Sequence, residues 1–430
     1  MQRVRFIGWS TVQRLAALLS IAFLITAPLF AQSAARIEGT VQDPNGAVIA
    51  NAKISALNVK TQAHFEATTS DHGQFILPSL PPGIYSLTIE SPGFQKQILE
   101  NVEVNVGAVV PELIHLRVGQ ALDTITVEAN ALTVQTTSSE ISRQITIRDI
   151  DTLPQLGRTP ITLAAFQPGV QLNPGDVTFS HVNGQRQGSN NSSLDGIDVN
   201  DSLVPRLGLS LTANNTDSVG EFRIVTEGGK AEYGRSAGAQ VDLVTRSGTN
   251  NYHGDAFDYL RNTDLNANDY FSNLSGTPRP KFIQNIFGGS FGGPIQHDKT
   301  FIFGNYQGRR TKQEIVRNRQ VLSTLARQGI FQWKDSSGLH TYNIAANDPR
   351  HIGVDPAMAK LFALVPAPNN LDTGDGLNTV GFRFNNPNDS IEDQFTIRGD
   401  HNITNNIKAF LRWSWLRNSA IETETSGRKT

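Results

Sequence analysis

The stretch Ile407-Lys408-Ala409-Phe410-Leu411-Arg412-Trp413-Ser414-Trp415 decides the fold class, because apolar and polar side chains alternate along it. In an extended strand, successive side chains point to opposite faces. All odd-numbered positions are apolar, whereas Lys408, Arg412 and Ser414 share the other face and Phe410 is the one exception. A tilted strand of about 9 to 11 residues crosses a bilayer, with lipid on one side and the barrel lumen on the other. The stretch therefore predicts a transmembrane barrel strand, and a soluble sandwich strand is the alternative.

The neighbouring sequence supports a barrel over 251–430. Residues Gln394–Asp400 repeat the alternation, and the interval 310–390 is rich in Asn, Pro and Gly with one short helical candidate, Pro356–Leu364. Such an interval would be an odd connection inside a compact domain, but it is ordinary as an extracellular barrel loop. Because an open sheet edge cannot be hydrogen-bonded in hydrocarbon, we expect this sequence to be the N-terminal part of a longer chain.

Composition excludes several function classes. The 430 residues contain 37 Lys plus Arg against 39 Asp plus Glu, so the basic excess that marks nucleic-acid binding is missing. Cysteine is absent, which excludes a disulfide scaffold, thiolate metal sites and a cysteine nucleophile. We therefore expect no nucleic-acid partner.

The N-terminus predicts export. Arg3, Arg5 and Arg14 precede the apolar run Leu15–Phe30, and small residues follow it. This order is typical of a cleaved secretory signal, here assigned to 1–33. The apolar run is shorter than the about 20 residues of a spanning helix, although a retained anchor is the alternative.

From 34 to 118 we expect an antiparallel β-sandwich. Short strand-like runs alternate with turn residues, and the clearest run is Ile84–Glu90. In this run Tyr85, Leu87 and Ile89 form one apolar face, which a sandwich would bury.

The turn residues of this segment also carry a resemblance. In order, the motifs are Gly39-Thr40-Val41, Ala52-Lys53-Ile54, Asp71-His72-Gly73-Gln74-Phe75, Pro82-Gly83-Ile84-Tyr85 and Pro92-Gly93-Phe94. Together they resemble the carboxypeptidase regulatory-like domain, a transthyretin-like sandwich. The resemblance implies a non-catalytic module, often proposed to bind carbohydrate in that family.

A β-prone heptapeptide lies in the linker 119–130, just past the sandwich. Its residues are Asp123, Thr124, Ile125, Thr126, Val127, Glu128 and Ala129. Such a segment suits strand addition, in which backbone hydrogen bonds supply affinity and alternate side chains supply register. The heptapeptide resembles the TonB box, which implies pairing with the periplasmic protein TonB. The alternative is a last strand of the sandwich.

The segment 131–250 reads as a mixed α/β domain. Thr159 and Pro160 predict the start of a helix, while Val219–Glu227 and Ala239–Arg246 predict strands. The order of motifs here resembles the plug domain of outer-membrane receptors: Leu153-Pro154, Arg158, Asn183-Gly184-Gln185-Arg186, Leu194-Asp195-Gly196-Ile197, Ala231-Glu232-Tyr233-Gly234 and Val244-Thr245-Arg246-Ser247-Gly248.

The resemblance continues without a break into the barrel segment. The matching motifs are Asn251-Tyr252-His253-Gly254, Tyr259-Leu260-Arg261-Asn262, Gln284-Asn285, Phe287-Gly288-Gly289-Ser290, Gly292-Gly293-Pro294-Ile295 and Asp298-Lys299-Thr300-Phe301. They resemble the Oar-like subgroup of TonB-dependent receptors. About five strands cannot close the barrel of about 22 strands that this resemblance implies. The expected fold is mainly β: a transthyretin-like sandwich, an α/β plug domain, and the first strands of an incomplete transmembrane β-barrel.

The resemblance implies a TonB-dependent receptor that is exported by its signal peptide to the outer membrane and takes up an unidentified ligand. The expected partners are TonB, outer-membrane lipid and a small or oligomeric ligand, with carbohydrate as one candidate. No cofactor and no enzymatic activity are expected. The alternative is an exported surface protein for carbohydrate binding or adhesion.

Two patterns of reactive residues suggest other functions. Ser236 lies in Gly234-Arg235-Ser236-Ala237-Gly238, which matches a nucleophile elbow, but that elbow requires a helix directly after the serine. Asp195, Asp198, Asn200 and Asp201 form an oxygen-rich cluster that lacks the spacing of an EF-hand loop. We expect a plug loop with solvated acids instead of a calcium site, and no zinc site.

Overall fold

The computed structural model describes residues 35–119, 124–128, 139–153, 155, 157–171, 173, 180–201, 215–230, 233–234, 236–270, 273, 278–404 and 407–422. The signal assigned to 1–33 lies outside these residues. Among the helices of the described part, none has the length and apolar character that crossing a membrane requires.

The N-terminal part forms two facing sheets. Its strands are β1 (Ala35–Gln42), β2 (Lys53–Asn58), β3 (His64–Thr68), β4 (Gln74–Leu80), β5 (Gly83–Glu90), β6 (Lys96–Val104), β7 (Val109–His115) and β8 (Thr124–Glu128). One sheet has the order β4–β1–β7 and the other β3–β2–β5–β6–β8. Strand β1 runs parallel to β7, so the sandwich is mixed where purely antiparallel pairing was expected.

One continuous apolar core joins the two sheets. Tyr85, Leu87 and Ile89 of β5 are completely buried, as the alternation predicts. Ile37 and Leu77 reach the same core from the opposite sheet. Burying each large apolar side chain stabilises a fold by about 1.5 to 3 kcal/mol, so this alternation is what holds the sandwich together.

The middle of the chain forms a mixed five-stranded sheet, here called the middle sheet. Its order is β13–β12–β15–β14–β9. The elements of this region are β9 (Ile141–Ile145), α1 (Ile147–Thr152), β10 (Val170–Gln171), β11 (His181–Val182), β12 (Asn191–Leu194), β13 (Ile197–Asp198), β14 (Val219–Glu227) and β15 (Gln240–Thr245).

The middle sheet agrees with the predicted strands at Val219–Glu227 and, within a residue at each end, at Ala239–Arg246. The predicted helix start differs. Residues Pro160–Phe166 form a 3-10 helix, and the side chain of Thr159 makes no capping hydrogen bond. Its hydroxyl instead donates to the carbonyl of Gly157 at 3.3 Å, so the local side-chain to backbone bond competes with the cap.

The C-terminal part forms a meander of long strands. These are β16 (His253–Asn262), β17 (Phe282–Gln296), β18 (Thr300–Leu322), β21 (Thr379–Asn402) and β22 (Lys408–Glu422), and their order in the sheet follows the sequence. Between β18 and β21 lie α2 (Thr324–Arg327), the hairpin of β19 (Ile330–Asp335) and β20 (Gly338–Asn343), and α3 (Pro356–Leu364).

The long strands have an inverted burial pattern. In β21 the polar residues Gln394, Thr396 and Arg398 are buried. In β22 the apolar side chains of Leu411 and Trp413 are 78% and 56% exposed. A soluble sandwich shows the reverse, whereas an apolar outer face and a polar inner face are typical of a membrane barrel. The predicted barrel strands are thereby confirmed.

The interval 310–390 is not one loop, contrary to the prediction. Strand β18 continues to Leu322 and β21 begins at Thr379, so the connection spans 323–378 and itself contains a hairpin and two helices. The predicted helix at Pro356–Leu364 is present, and Asp355 caps it by accepting from two backbone N–H groups. These strands extend beyond the about 11 residues that a bilayer crossing needs, and their outer parts lack the apolar alternation that would mark them in the sequence.

Candidate functional site

The predicted TonB-box segment forms strand β8 at the edge of the sandwich. Residues Thr124–Glu128 run parallel to β6, with Ile125 opposite Gln97 and Val127 opposite Leu99. The remaining two residues of the predicted heptapeptide, Asp123 and Ala129, lie outside the described residues. The alternative interpretation, a last strand of the sandwich, describes this position in the sheet correctly.

An edge position leaves one side of the strand available. In the sheet order, β6 lies on one side of β8 and no described strand on the other. Edge strands present backbone N–H and C=O groups that a further strand can pair with. Val127 is 40% exposed and Thr126 is exposed, whereas Ile125 is half-buried. The segment is therefore both a sandwich strand and a possible template for strand addition.

The loop that follows β6 contacts the middle sheet through a buried acid. The backbone N–H of Val106 donates to Glu221 Oε1 at 2.7 Å, and Gln144 Nε2 donates to Glu221 Oε2 at 3.1 Å. Burial raises the pKa of Glu221 to about 7 and nearby Glu103 adds to the rise, while the two hydrogen bonds oppose it. This carboxyl group therefore titrates near neutral pH.

Two residues further along β14, Arg223 binds both the sandwich loop and the start of β9. Its Nη1 donates to the Gly107 carbonyl at 2.7 Å, and its Nη2 donates to Glu140 Oε2 at 2.7 Å and to Ser142 Oγ at 3.0 Å. Arg223 is 3% exposed. A guanidinium with several donors in a fixed fork suits such a junction of a carbonyl, a carboxylate and a hydroxyl.

Sequence reasoning missed this junction. Val219–Glu227 is predicted as a strand, but nothing in it shows that Glu221 and Arg223 are buried beneath a loop more than 100 residues earlier. The available signal was their spacing, because residues i and i+2 of a strand share a face. Two opposite charges on one face of an interior strand need hydrogen-bonding partners, so this spacing indicates that another segment covers them.

The oxygen-rich cluster of the middle sheet is structural. Asp195 is 1% exposed, and its carboxylate accepts from the backbone N–H of Thr245 at 2.9 Å and from the Thr245 hydroxyl. The expectation of solvated acids is therefore wrong for Asp195, because the hairpin turn that it forms with Gly196 folds back onto β15. Within the described residues, no group of three or more His, Asp or Glu is placed to hold a metal ion.

Ser236 does not have the surroundings of a nucleophile elbow. Its hydroxyl donates to the carbonyl of Ser189 at 3.4 Å, and the next element is strand β15. An elbow requires a helix at that point, so the sequence match is incidental.

Comparisons with known proteins agree with this architecture. Residues 36–117 match the carboxypeptidase regulatory-like domain, and residues 244–429 match the outer membrane beta barrel domain. The TonB-dependent transporter Oar of Myxococcus xanthus is 25% identical over 308 residues, which is 68% of this chain and 28% of that protein. The chain therefore spans less than a third of the length of this relative.

Solved structures of outer-membrane proteins also align with the chain. The outer membrane transporter YddB from Escherichia coli aligns with a TM-score of 0.40 and 14% identity over 67% of this chain and 35% of YddB. The siderophore receptor PirA from Acinetobacter baumannii aligns with a TM-score of 0.30 and 14% identity over 65% of this chain and 45% of PirA.

The outer membrane beta barrel domain and the inverted burial of the long strands locate the protein in the outer membrane. The chain is thus a homologue of the TonB-dependent transporter Oar, with a carboxypeptidase regulatory-like domain in its N-terminal part and an outer membrane beta barrel domain in its C-terminal part.

Proposed function

We propose that the protein is a TonB-dependent receptor that takes up a ligand across the outer membrane, with energy supplied by TonB through strand β8. The observation that carries the proposal is a β-prone edge strand of the sandwich, Thr124–Glu128. In sequence, it is the last strand before the middle sheet. In this proposal 1–33 is the export signal, 119–130 the TonB-binding linker, 131–250 the plug and 251–430 the first part of the barrel.

Strand addition to β8 uses backbone groups more than side chains. A strand of TonB would extend the five-stranded sheet at its outer side and leave the pairing between β8 and β6 in place. Ile125 and Val127 are the positions at which proline would remove a backbone donor and prevent extension of the sheet. The proposal assigns no bond-making or bond-breaking step to this chain.

The test uses the full-length receptor in its outer membrane. Ile125→Pro and Val127→Pro are compared with Ile125→Ala and Val127→Ala, which shorten the same side chains but keep the backbone N–H. We expect both proline variants to abolish crosslinking to TonB and both alanine variants to retain it. Crosslinking that survives both proline substitutions would remove β8 from the mechanism.

The ligand class is a second part of the proposal, and exposed rings on the hairpin β19–β20 favour a saccharide. Phe331 and Trp333 stack with ring centroids 6.1 Å apart, and Trp333 and His340 with centroids 5.2 Å apart. Within each pair the two ring planes are inclined to each other by about 20°. Phe331 and Trp333 are more than 40% exposed. An exposed apolar patch beside polar groups often marks an interaction site, and Asp335 and Ser337 lie at the turn of this hairpin.

Trp333→Ala tests the saccharide proposal. Mixed soluble oligosaccharides serve as probes of the purified full-length receptor, with Leu339→Ala as the control because Leu339 is an exposed apolar residue of the same hairpin. We expect the wild type and the Leu339→Ala control to retain one or more oligosaccharides. Trp333→Ala should no longer retain them. Equal retention by Trp333→Ala would contradict it.

A further inference from the structure

Two segments that adjoin β8, one through pairing and one along the chain, are both hydrogen-bonded to Arg223. The first is the loop Asn105–Ala108, which follows β6, the strand that pairs with β8. The second ends at Glu140, directly before β9, the strand next along the chain. Arg223 Nη1 donates to the first segment at Gly107 and Nη2 to the second at Glu140, each at 2.7 Å.

The junction is buried and closely packed. The side chains of Arg223 and Glu140 are 4% and 2% exposed, and Lys230 Nζ lies 4.0 Å from the same oxygen of Glu140, so separating Arg223 from Glu140 would disrupt a buried charge cluster. Gly107 has a φ of 61°, and a Cβ there would lie 3.1 Å from Arg223 Nη1. A glycine is therefore needed at the point where the loop carbonyl meets the guanidinium.

We infer that Arg223 is a positioning residue that fastens the loop Asn105–Ala108 and the segment ending at Glu140 to the middle sheet, so that displacement of β8 moves β14. This inference rests on the proposed function, because it takes β8 as the strand on which TonB acts. β14 is bonded on one side to β9 and on the other to β15, so it is an interior strand of the middle sheet. A force that arrives at Arg223 therefore acts on an interior strand and not on an edge strand.

A structural ion pair alone would not require arginine. Lysine keeps the positive charge beside Glu140, but its single ammonium is a point charge on a flexible stem and cannot reproduce the fork that bonds Gly107, Glu140 and Ser142 together. Arg223→Lys thus keeps the positive charge beside Glu140 but removes the simultaneous hydrogen bonds to the two segments.

Amide hydrogen exchange in the purified full-length receptor tests the fastening without TonB. For Arg223→Lys we expect exchange at 105–108 and at 140–142 to rise together by about tenfold or more.

Arg158→Lys is the control, because Arg158 forms a comparable ion pair with Asp217 at 2.7 Å in the same region. Gly107→Ala should loosen the loop alone and Glu140→Gln the start of β9 alone. Unchanged exchange in Arg223→Lys would overturn the inference, and heat-modifiable migration of the barrel in gels identifies a variant that fails to fold.

A second measurement tests transmission in cells. The 430 residues contain no cysteine, so Ser192→Cys places the only thiol within them at a fully buried position of the middle sheet. We expect this thiol to react with a maleimide faster in energised cells than after addition of a protonophore. Arg223→Lys should abolish the difference while crosslinking of TonB at Val127 persists. An energy-dependent difference that survives in Arg223→Lys would refute transmission through Arg223. Absence of TonB crosslinking in the parent would instead refute the proposed function, and the exchange measurement would still decide the fastening.

Discussion

The backbone N–H of Val106 donates to the carboxylate of Glu221 at 2.7 Å, which joins two residues that are 115 positions apart. The first belongs to the loop after β6 and the second to β14, so this bond is one of the contacts that hold the sandwich against the middle sheet. Glu221 is 8% exposed and Glu103 lies near enough to disfavour a second negative charge. Burial and Glu103 therefore disfavour the ionised form of the carboxyl group on which this loop packs.

The raised pKa predicts that the loop over Glu221 becomes less stable as the pH rises, because the buried carboxyl group must then ionise, and the hydrogen bonds from Val106 and Gln144 offset this cost only in part. The folded pKa of Glu221, about 7, lies above the usual value of 4.5, so the folded protein binds a proton that the unfolded chain releases. The stability that this group contributes is fully present below the unfolded pKa of 4.5. It is lost as the pH rises through the folded pKa of about 7. In hydrogen exchange corrected for its intrinsic pH dependence, protection of 105–108 should fall across this window in the wild type and stay flat in Glu221→Gln. Equal pH profiles of the two proteins would contradict the prediction.

Patterns with one buried face were predictable, whereas contacts between distant segments were not. The alternation in β5 and β22 reports a two-residue period, and the structure buries one face of β5 and exposes the apolar face of β22 as expected. Glu221 and Arg223 also alternate with apolar neighbours, which suggests a half-exposed strand. They are buried because a loop of the sandwich covers them, and no local pattern in β14 encodes that loop.

The same reasoning explains the outcome at β8. Its alternation of Thr with Ile and Val predicts a β-strand but carries no information on the neighbouring strand, because every strand offers the same backbone donors and acceptors. The pairing with β6 became visible only with the sheet order.

Truncation of a side chain in β5 should destabilise the sandwich strongly at a buried position and only slightly at an exposed one. Leu87 is completely buried, whereas Ile84 is 38% exposed. Leu87→Ala should destabilise the sandwich by about 2 to 5 kcal/mol because it removes buried methyl groups and leaves a cavity. Ile84→Ala, which truncates a side chain of similar size in the same strand, should cost much less. Exchange of the β5 amides in the full-length receptor measures both, and equal effects would show that β5 does not face the core as described.

The hairpin turn of the middle sheet should depend on Asp195. Asp195→Ala leaves the buried N–H of Thr245 without its acceptor, which costs about 1 to 3 kcal/mol. Asp198 is exposed, so Asp198→Ala should change stability by no more than about 0.5 kcal/mol. Amide exchange at Thr245 reports both values. Increased protection of Thr245 in the wild type on addition of Ca²⁺ would indicate that these acids bind a cation, a result that the hydrogen bonds of Asp195 do not predict.

The lipid-facing side of β22 offers the sharpest test of the fold. Leu411 is 78% exposed and Ser414 lies on the opposite, half-buried face of the same strand. Arginine on the lipid side near the bilayer midplane costs about 2 to 4 kcal/mol, whereas a lumen-facing arginine keeps access to water. Leu411→Arg should therefore reduce assembly of the full-length barrel in membranes, and Ser414→Arg should reduce it less. If β22 were a strand of a soluble sandwich, an exposed Leu411→Arg would be neutral and Ser414→Arg would be the damaging change. The order of the two yields, measured by heat-modifiable migration in gels, thus distinguishes a membrane barrel from a soluble sheet.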